Sequence, residues 1–176
     1  MKGRSFISTL IAVVGVLLCL VVVGAVLFPL FARATGGGRT ACLSNMKQCA
    51  TAVRLYAEDH DDRLPPALSW MDATRQVAQT DYVFACPDLA RTNPQSYGYA
   101  MNLTVSDVNT ALEDQPADTV LLFESVLLAR NACSGFYGLP DPPRHGGNCV
   151  AFLDGHVARI IPVLVAEFGP DGRKKP

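Results

Sequence analysis

Two groups of side chains in this sequence have the types and spacing for chemistry. Near the carboxyl end stand His145, Asp154 and His156. A histidine can serve as a base or a metal ligand, and a neighbouring aspartate can orient its ring. The same residues have a structural reading. Asp154-Gly155 is what a two-residue β-turn asks for, because glycine tolerates positive φ. His156 then opens the return strand, and His145 belongs to a tight loop of Arg144, His145, Gly146 and Gly147. The structural reading is preferred, and no catalytic residue is assigned. The second group is the acidic run Glu58, Asp59, Asp61 and Asp62 around His60. Its carboxylates could hold calcium, but they lack the Asp-x-Asp-x-Asp-Gly spacing of an EF-hand loop. A solvated helix end is the plainer reading, so no cofactor is expected.

Other chemistries are disfavoured by what is missing. There is no Gly-x-Ser-x-Gly nucleophile elbow and no phosphate loop, since Gly36–Thr40 lacks the lysine such a loop needs. There is no Cys-x-x-Cys, which argues against a dithiol redox enzyme or a zinc ribbon. Tyr97, Tyr99 and Phe136 read as packing residues. No small-molecule substrate emerges, and the chain is not expected to be an enzyme.

The elements that must position these residues begin with an apolar stretch. Ser5–Ala32 carries no charge, and Phe6–Phe28 is 23 residues rich in Val, Leu, Ile and Ala. A helix of about 20 such residues spans a bilayer of ~30 Å, so a transmembrane helix is expected. A cleaved secretory signal is the competitor, with Lys2 and Arg4 in front and Ala32-Arg33-Ala34 behind. The run exceeds the usual ~7–15 residues of a signal core, which favours the anchor. Of the six cysteines, five (Cys42, Cys49, Cys86, Cys133, Cys149) lie beyond the run. That density suits an oxidising compartment. The expectation is a single-pass protein of the inner or cytoplasmic membrane, its carboxyl-terminal domain extracytoplasmic. The first 39 residues hold four of the 15 basic groups and none of the 16 acids, which leaves 11 and 16 in the remainder, a net charge of −5. An acidic domain repels phosphate backbones, so nucleic acid is an unlikely partner.

Residues 1–34 are thus read as the anchor and 35–40 as a glycine-rich hinge, since each glycine costs about 1 kcal/mol in a helix interior relative to Ala. Residues 41–168 are the domain and 169–176 a disordered tail. Cys42/Leu43, Met46, Cys49/Ala50, Val53 and Tyr56/Ala57 recur at helical spacing and form an apolar face that needs a partner surface. Pro65-Pro66 stops that helix. A short helix follows near Trp70–Gln79. Gln95–Asn102 and Thr119–Leu128 read as strands. Asn148–Leu153 and His156–Val163 flank Asp154-Gly155 as a hairpin.

In order along the chain, several segments resemble one family. Phe28–Ala34 reads FPLFARA, and Cys42–Gln48 reads CLSNMKQ, ending in Lys47 and Gln48. Tyr56–Pro66 is YAEDHDDRLPP. Cys86-Pro87 precedes Ser96-Tyr97-Gly98-Tyr99, and Arg144–Gly147 precedes Asp154-Gly155-His156-Val157. This ordered set resembles the bacterial type IV pilin-like and pseudopilin-like proteins with a processing-associated H-X9-DG (DUF1559-like) domain. The departures are local. Aligned on Pro29, the mature chain would start at Ser8, after Ile7 instead of glycine, and Ala12 stands where pilins carry a glutamate. The processing segment is therefore degenerate. His145 and Asp154 have eight residues between them, one fewer than the family name counts.

The resemblance implies an α+β fold: an N-terminal transmembrane helix, then a pilin-like helix packed on a small antiparallel sheet. It implies a membrane-anchored, non-catalytic pseudopilin-like structural subunit of the cell envelope, of the type IV pilus or type II secretion kind. The implied partners are the membrane and other pilin-like subunits, met through the apolar helix. The alternatives are an uncleaved anchored binding module outside any filament and, less favoured, an envelope hydrolase using His145 and Asp154. Cys42 and Cys86 occupy family-motif positions and would form one disulfide. Cys133 and Cys149, on either side of the Gly/Pro-rich loop, would form a second and leave Cys49 over.

Overall fold

The computed structural model describes the backbone of residues 2–175 and the side chains of residues 12–23, 38 and 40–175. Helix α1 runs Lys2–Glu58. The chain divides into two compact units, Met1–Gly37 and Gly38–Pro176. In the first, the described side chains, residues 12–23, are all exposed, among them Val13, Leu17, Leu20 and Val23.

In the second unit the carboxyl-terminal part of α1 buries the face expected from its spacing. Cys42, Met46, Cys49, Ala50 and Val53 are fully buried. Each buried Val or Met side chain contributes about 1.5–3 kcal/mol relative to exposure. The helix ends before the proline pair, where Asp61 and Asp62 take left-handed φ of 54° and 60° and Asp62 N–H closes onto the Ala57 carbonyl at 2.9 Å. Two helices follow: α2 (Trp70–Ala78) and the single-turn α3 (Pro87–Thr92). Trp70 is fully buried, its ring edge on Phe84 at 5.6 Å and its Nε1–H donating to the Ala132 carbonyl at 3.0 Å.

The sheet has five strands: β1 (Tyr99–Asn102), β2 (Val120–Glu124), β3 (Cys133–Ser134), β4 (Asn148–Phe152) and β5 (Val157–Ile160). Their spatial order is β3-β1-β2-β4-β5. One face packs α1, through Tyr99, Met101, Leu122, Cys149 and Ala151. The other carries Ala100, Val120, Phe123, Val150 and Phe152, covered by Phe136 and Phe168. The register between β2 and β4 shifts between Val120 and Leu122. Such a bulge lets the adjacent Leu121 and Leu122 join one core. It also sets the parity that turns Glu124 inward.

Three expectations are corrected. The transmembrane helix is one: among the described residues no helix is long and apolar enough to cross a membrane. The boundary between the two units falls within the glycine-rich segment 35–40, between Gly37 and Gly38. Within the second unit Gly38 has a packing reason: a Cβ there would lie 2.5 Å from Asp88 Oδ1. The purely antiparallel sheet is the second correction, since β3 pairs parallel to β1. The disordered tail is the third. Val120 N–H bonds the Gly172 carbonyl at 2.9 Å, Asn102 Nδ2 donates to the Asp171 carbonyl at 2.7 Å, and Arg173 pairs with Glu113 at 2.7 Å. The tail covers an otherwise bare edge of backbone, which is what orders it.

Candidate functional site

The strand register builds the site. Tyr99 on β1 is paired with Glu124 on β2, and Cys149 on β4 lies one residue from the Phe123–Val150 pair, beside Glu124 on its other flank. Three side chains thus form a row across three strands, on the face that α1 covers. Glu124 is fully buried. Its Oε2 accepts the Cys149 backbone N–H at 2.8 Å, which leaves Oε1 directed at the space under the helix.

Three further residues enter that space from three other segments. Cys42 comes from α1, its Sγ 3.1 Å from the Tyr99 hydroxyl and donating to Glu124 Oε1 at 3.2 Å. Cys86 caps α3, held by a bond from its N–H to the Tyr97 carbonyl at 2.7 Å. His145 comes from the loop before β4. Its Nε2 is 3.4 Å from Cys86 Sγ and 3.4 Å from Glu124 Oε1, and its Nδ1 is 3.3 Å from Asp88 Oδ2. Arg144 places a guanidinium 3.9 Å from Glu124 Oε1 and holds the loop by donating to the carbonyls of Gly98 and Ser125. Gly98 has φ of 78°, which a side chain rarely adopts.

The two central thiols differ in acidity. The hydrogen bond from Cys42 pulls the Cys86 thiol down to about 5 against the opposing effect of burial, helped by the backbone N–H groups of Leu89 and Asp88 and by His145. Cys42 is pushed far up, by hydrogen bonds with Cys149 and Cys86, by burial and by the Glu124 charge. The Tyr99 hydroxyl is raised by burial and by the neighbouring Cys42, which suits a hydroxyl that keeps its proton.

Among the described residues, Cys42, Cys86, Glu124 and His145 are the one group of three or more potential ligands brought within reach of a common ion, their donor atoms all within 4.8 Å of one another. The acidic run Glu58, Asp59, Asp61 and Asp62 forms no such group. Its aspartate backbone carbonyls instead accept from Asn109 and Thr110.

The remaining motif residues do structural work. Lys47 Nζ donates to the Gly155 carbonyl at 2.5 Å and Arg54 to the Asp154 carbonyl at 2.6 Å, so α1 clamps the hairpin turn. Asp154 Oδ1 is 2.6 Å from His156 Nδ1, both groups part-exposed, with the His156 ring stacked on Phe152. Gly155 has φ of 86° and Gly146 φ of 71°, but the expected two-residue turn at Asp154-Gly155 is corrected: the Gly155 N–H bonds the Phe152 carbonyl at 2.8 Å, so Leu153 and Asp154 are the central turn residues and Gly155 follows them in a longer loop. Gly147 lies against Arg159, where a Cβ would come within 2.8 Å. Gln48 bonds only Ser44, Pro87 opens α3, and the Tyr97 hydroxyl accepts from Arg130 at 3.1 Å. Ala12 is exposed on α1, and the side chains of Ile7 and Ser8 lie outside the described residues.

Two pairings suggested by the sequence do not form. His145 precedes β4 and Asp154 follows it, so about 17 Å of strand separates the two residues. They do not make the base-and-orienter pair that the hydrolase reading needs. Cys133 and Cys149 sit on strands with β1 and β2 between them, about 14 Å at ~4.8 Å per strand, beyond disulfide reach. Cys42 and Cys86 do meet, as free thiols that each also face a non-sulfur donor.

Glu124 and Asp88 were not singled out from sequence. Glu124 had a legible signal, a lone acid within the apolar strand TVLLFESVLL, since a buried carboxylate demands partners. Asp88 had none. No family model, curated protein or solved structure matches this chain.

Proposed function

We propose that the chain is a non-catalytic, pilin-like structural subunit of the bacterial cell envelope that associates with other pilin-like subunits through the apolar part of α1. One observation carries the reading. Residues 12–23 of α1 form an unbroken run of exposed, almost wholly apolar side chains, Val21 at 69% and Leu18 at 66%, whereas the domain buries two apolar clusters and leaves residues such as Leu68 and Leu112 exposed among polar neighbours. An all-round apolar helix gains by burial against others like it. The resemblance of the ordered motifs supports the same reading. So do the roles of Lys47, Arg54, Arg144 and Gly155, which fasten the helix and loops to the sheet.

Cys19 is an exposed thiol within that segment, and it makes the test direct. Mild oxidation of envelope fractions is expected to link copies of the chain through Cys19, and Cys19→Ser to abolish the link. A chain that stays unlinked under oxidation, and co-purifies with no pilin-like subunit, refutes the reading and leaves a binding module outside any filament.

A further inference from the structure

We infer that Cys42, Cys86, His145 and Glu124 form a buried tetrahedral zinc site that ties α1 and the loops before α3 and β4 to the sheet. The inference is independent of the assembly reading above.

Geometry is the first support. A tetrahedral zinc ion with Zn–S of about 2.3 Å and Zn–N or Zn–O of about 2.0–2.1 Å has ligand–ligand edges of roughly 3.3–3.8 Å. The Cys42 Sγ–Glu124 Oε1, Cys86 Sγ–His145 Nε2 and His145 Nε2–Glu124 Oε1 separations are 3.2, 3.4 and 3.4 Å. The ligands come from four separate segments of the chain and converge on one point.

The surroundings supply what a metal centre needs beyond its ligands. Asp88 at His145 Nδ1 favours the tautomer with the proton on Nδ1, which frees the Nε2 lone pair. The Cys149 N–H holds the second oxygen of Glu124, and the Tyr99 hydroxyl faces Cys42 Sγ. The charges also balance. Two thiolates and a carboxylate against a dication leave one negative charge, and Arg144 lies beside Glu124 to neutralise it. Thiolate sulfur with imidazole selects zinc over calcium or magnesium, which prefer all-oxygen ligands. On binding, two Zn–S bonds form as protons on the thiols pass to solvent, with no change of oxidation state.

The test uses the full-length chain, fully reduced and handled without oxygen. Titrated with Zn2+, it is expected to take up one ion per chain. With Co2+ it should give the intense visible bands of a tetrahedral ion and a thiolate charge-transfer band. Asp88→Asn should weaken zinc binding about 10–100-fold, Cys86→Ser should abolish it, and Cys133→Ser should leave it unchanged. Should Cys86→Ser fail to fold, the cobalt spectrum of the unaltered chain and the Asp88→Asn affinity still decide. A folded, reduced chain that takes up no stoichiometric zinc overturns the inference. So does an octahedral cobalt spectrum without a thiolate band.

Discussion

The carboxylate of Glu124 and the backbone N–H of Cys149 meet at 2.8 Å across two neighbouring strands, in a position closed to solvent. That bond fixes one oxygen of a fully buried acid and aims the other at Cys42 and His145. Replacing the side chain by Ala would leave the N–H, the imidazole and the Arg144 guanidinium short of a partner. Glu124→Ala is expected to lower the free energy of unfolding by about 3–5 kcal/mol, read from urea unfolding. Glu124→Gln, which keeps the shape, should cost less.

Trp70 anchors the opposite end of the core. Its ring is fully buried and its Nε1–H is spent on the Ala132 carbonyl. Trp70→Ala is expected to cost about 3–5 kcal/mol by the same measurement. Trp70→Phe should cost less, because it loses mainly the hydrogen bond.

The hairpin turn under α1 demands a glycine chiefly for its backbone conformation. A Cβ on Gly155 would lie 2.7 Å from the Arg54 guanidinium, and φ there is 86°. Gly155→Ala is expected to destabilise by about 1–2 kcal/mol, visible as a lower unfolding temperature. Lys47→Met, which removes the donor to the Gly155 carbonyl, should loosen the same turn and speed amide exchange at Gly155, whose N–H bonds the Phe152 carbonyl at 2.8 Å.

Asp72 makes the acid limb of stability testable. Asn131 and Arg130 hold its carboxyl below the usual carboxylate range, with Arg75 adding a weaker attraction. A depressed native value contributes stability that is present above the unfolded value of about 3.9. The contribution fades as pH falls through the native value. The side chain is 55% exposed, so solvent screening limits the gain to about 0.5–1 kcal/mol. The unfolding midpoint of the unaltered chain should exceed that of Asp72→Asn by a constant margin near neutral pH. The margin should close below about pH 4. A margin that persists at pH 2 would mean that the carboxylate charge is not its source.

Much of the domain was legible locally. The helical face from Cys42 to Ala57, the short helix at Trp70, the strand at Thr119–Leu128 and the hairpin around Asp154-Gly155 follow from periodicity and turn chemistry. These signals depend on neighbours a few residues apart. The two-residue strand β3 had no such signal. It exists because its backbone finds β1 across 30 residues of chain, and its parallel pairing could not be read from its own residues.

The site was half legible, and the division has a physical cause. Cys42, Cys86 and His145 stood out by type, since thiols and imidazoles carry chemistry wherever they occur. Their partners did not. Glu124 looks like an interruption in a strand until the bulge at Val120–Leu122 turns it inward, and Cys149 joins it through strand register. The same residue can hinge a chain or close a contact. Gly36-Gly37-Gly38 reads as a break because glycine is costly in helices. Gly38, though, sits where a side chain would press on Asp88, the residue that orients His145. Sequence alone determined the residue chemistry, the amphipathic helix face and the turn. Only tertiary structure decided that Cys86 meets His145 and Cys42 meets Glu124, because those contacts span 59 and 82 residues, and their geometry comes from register and packing, which no local pattern encodes.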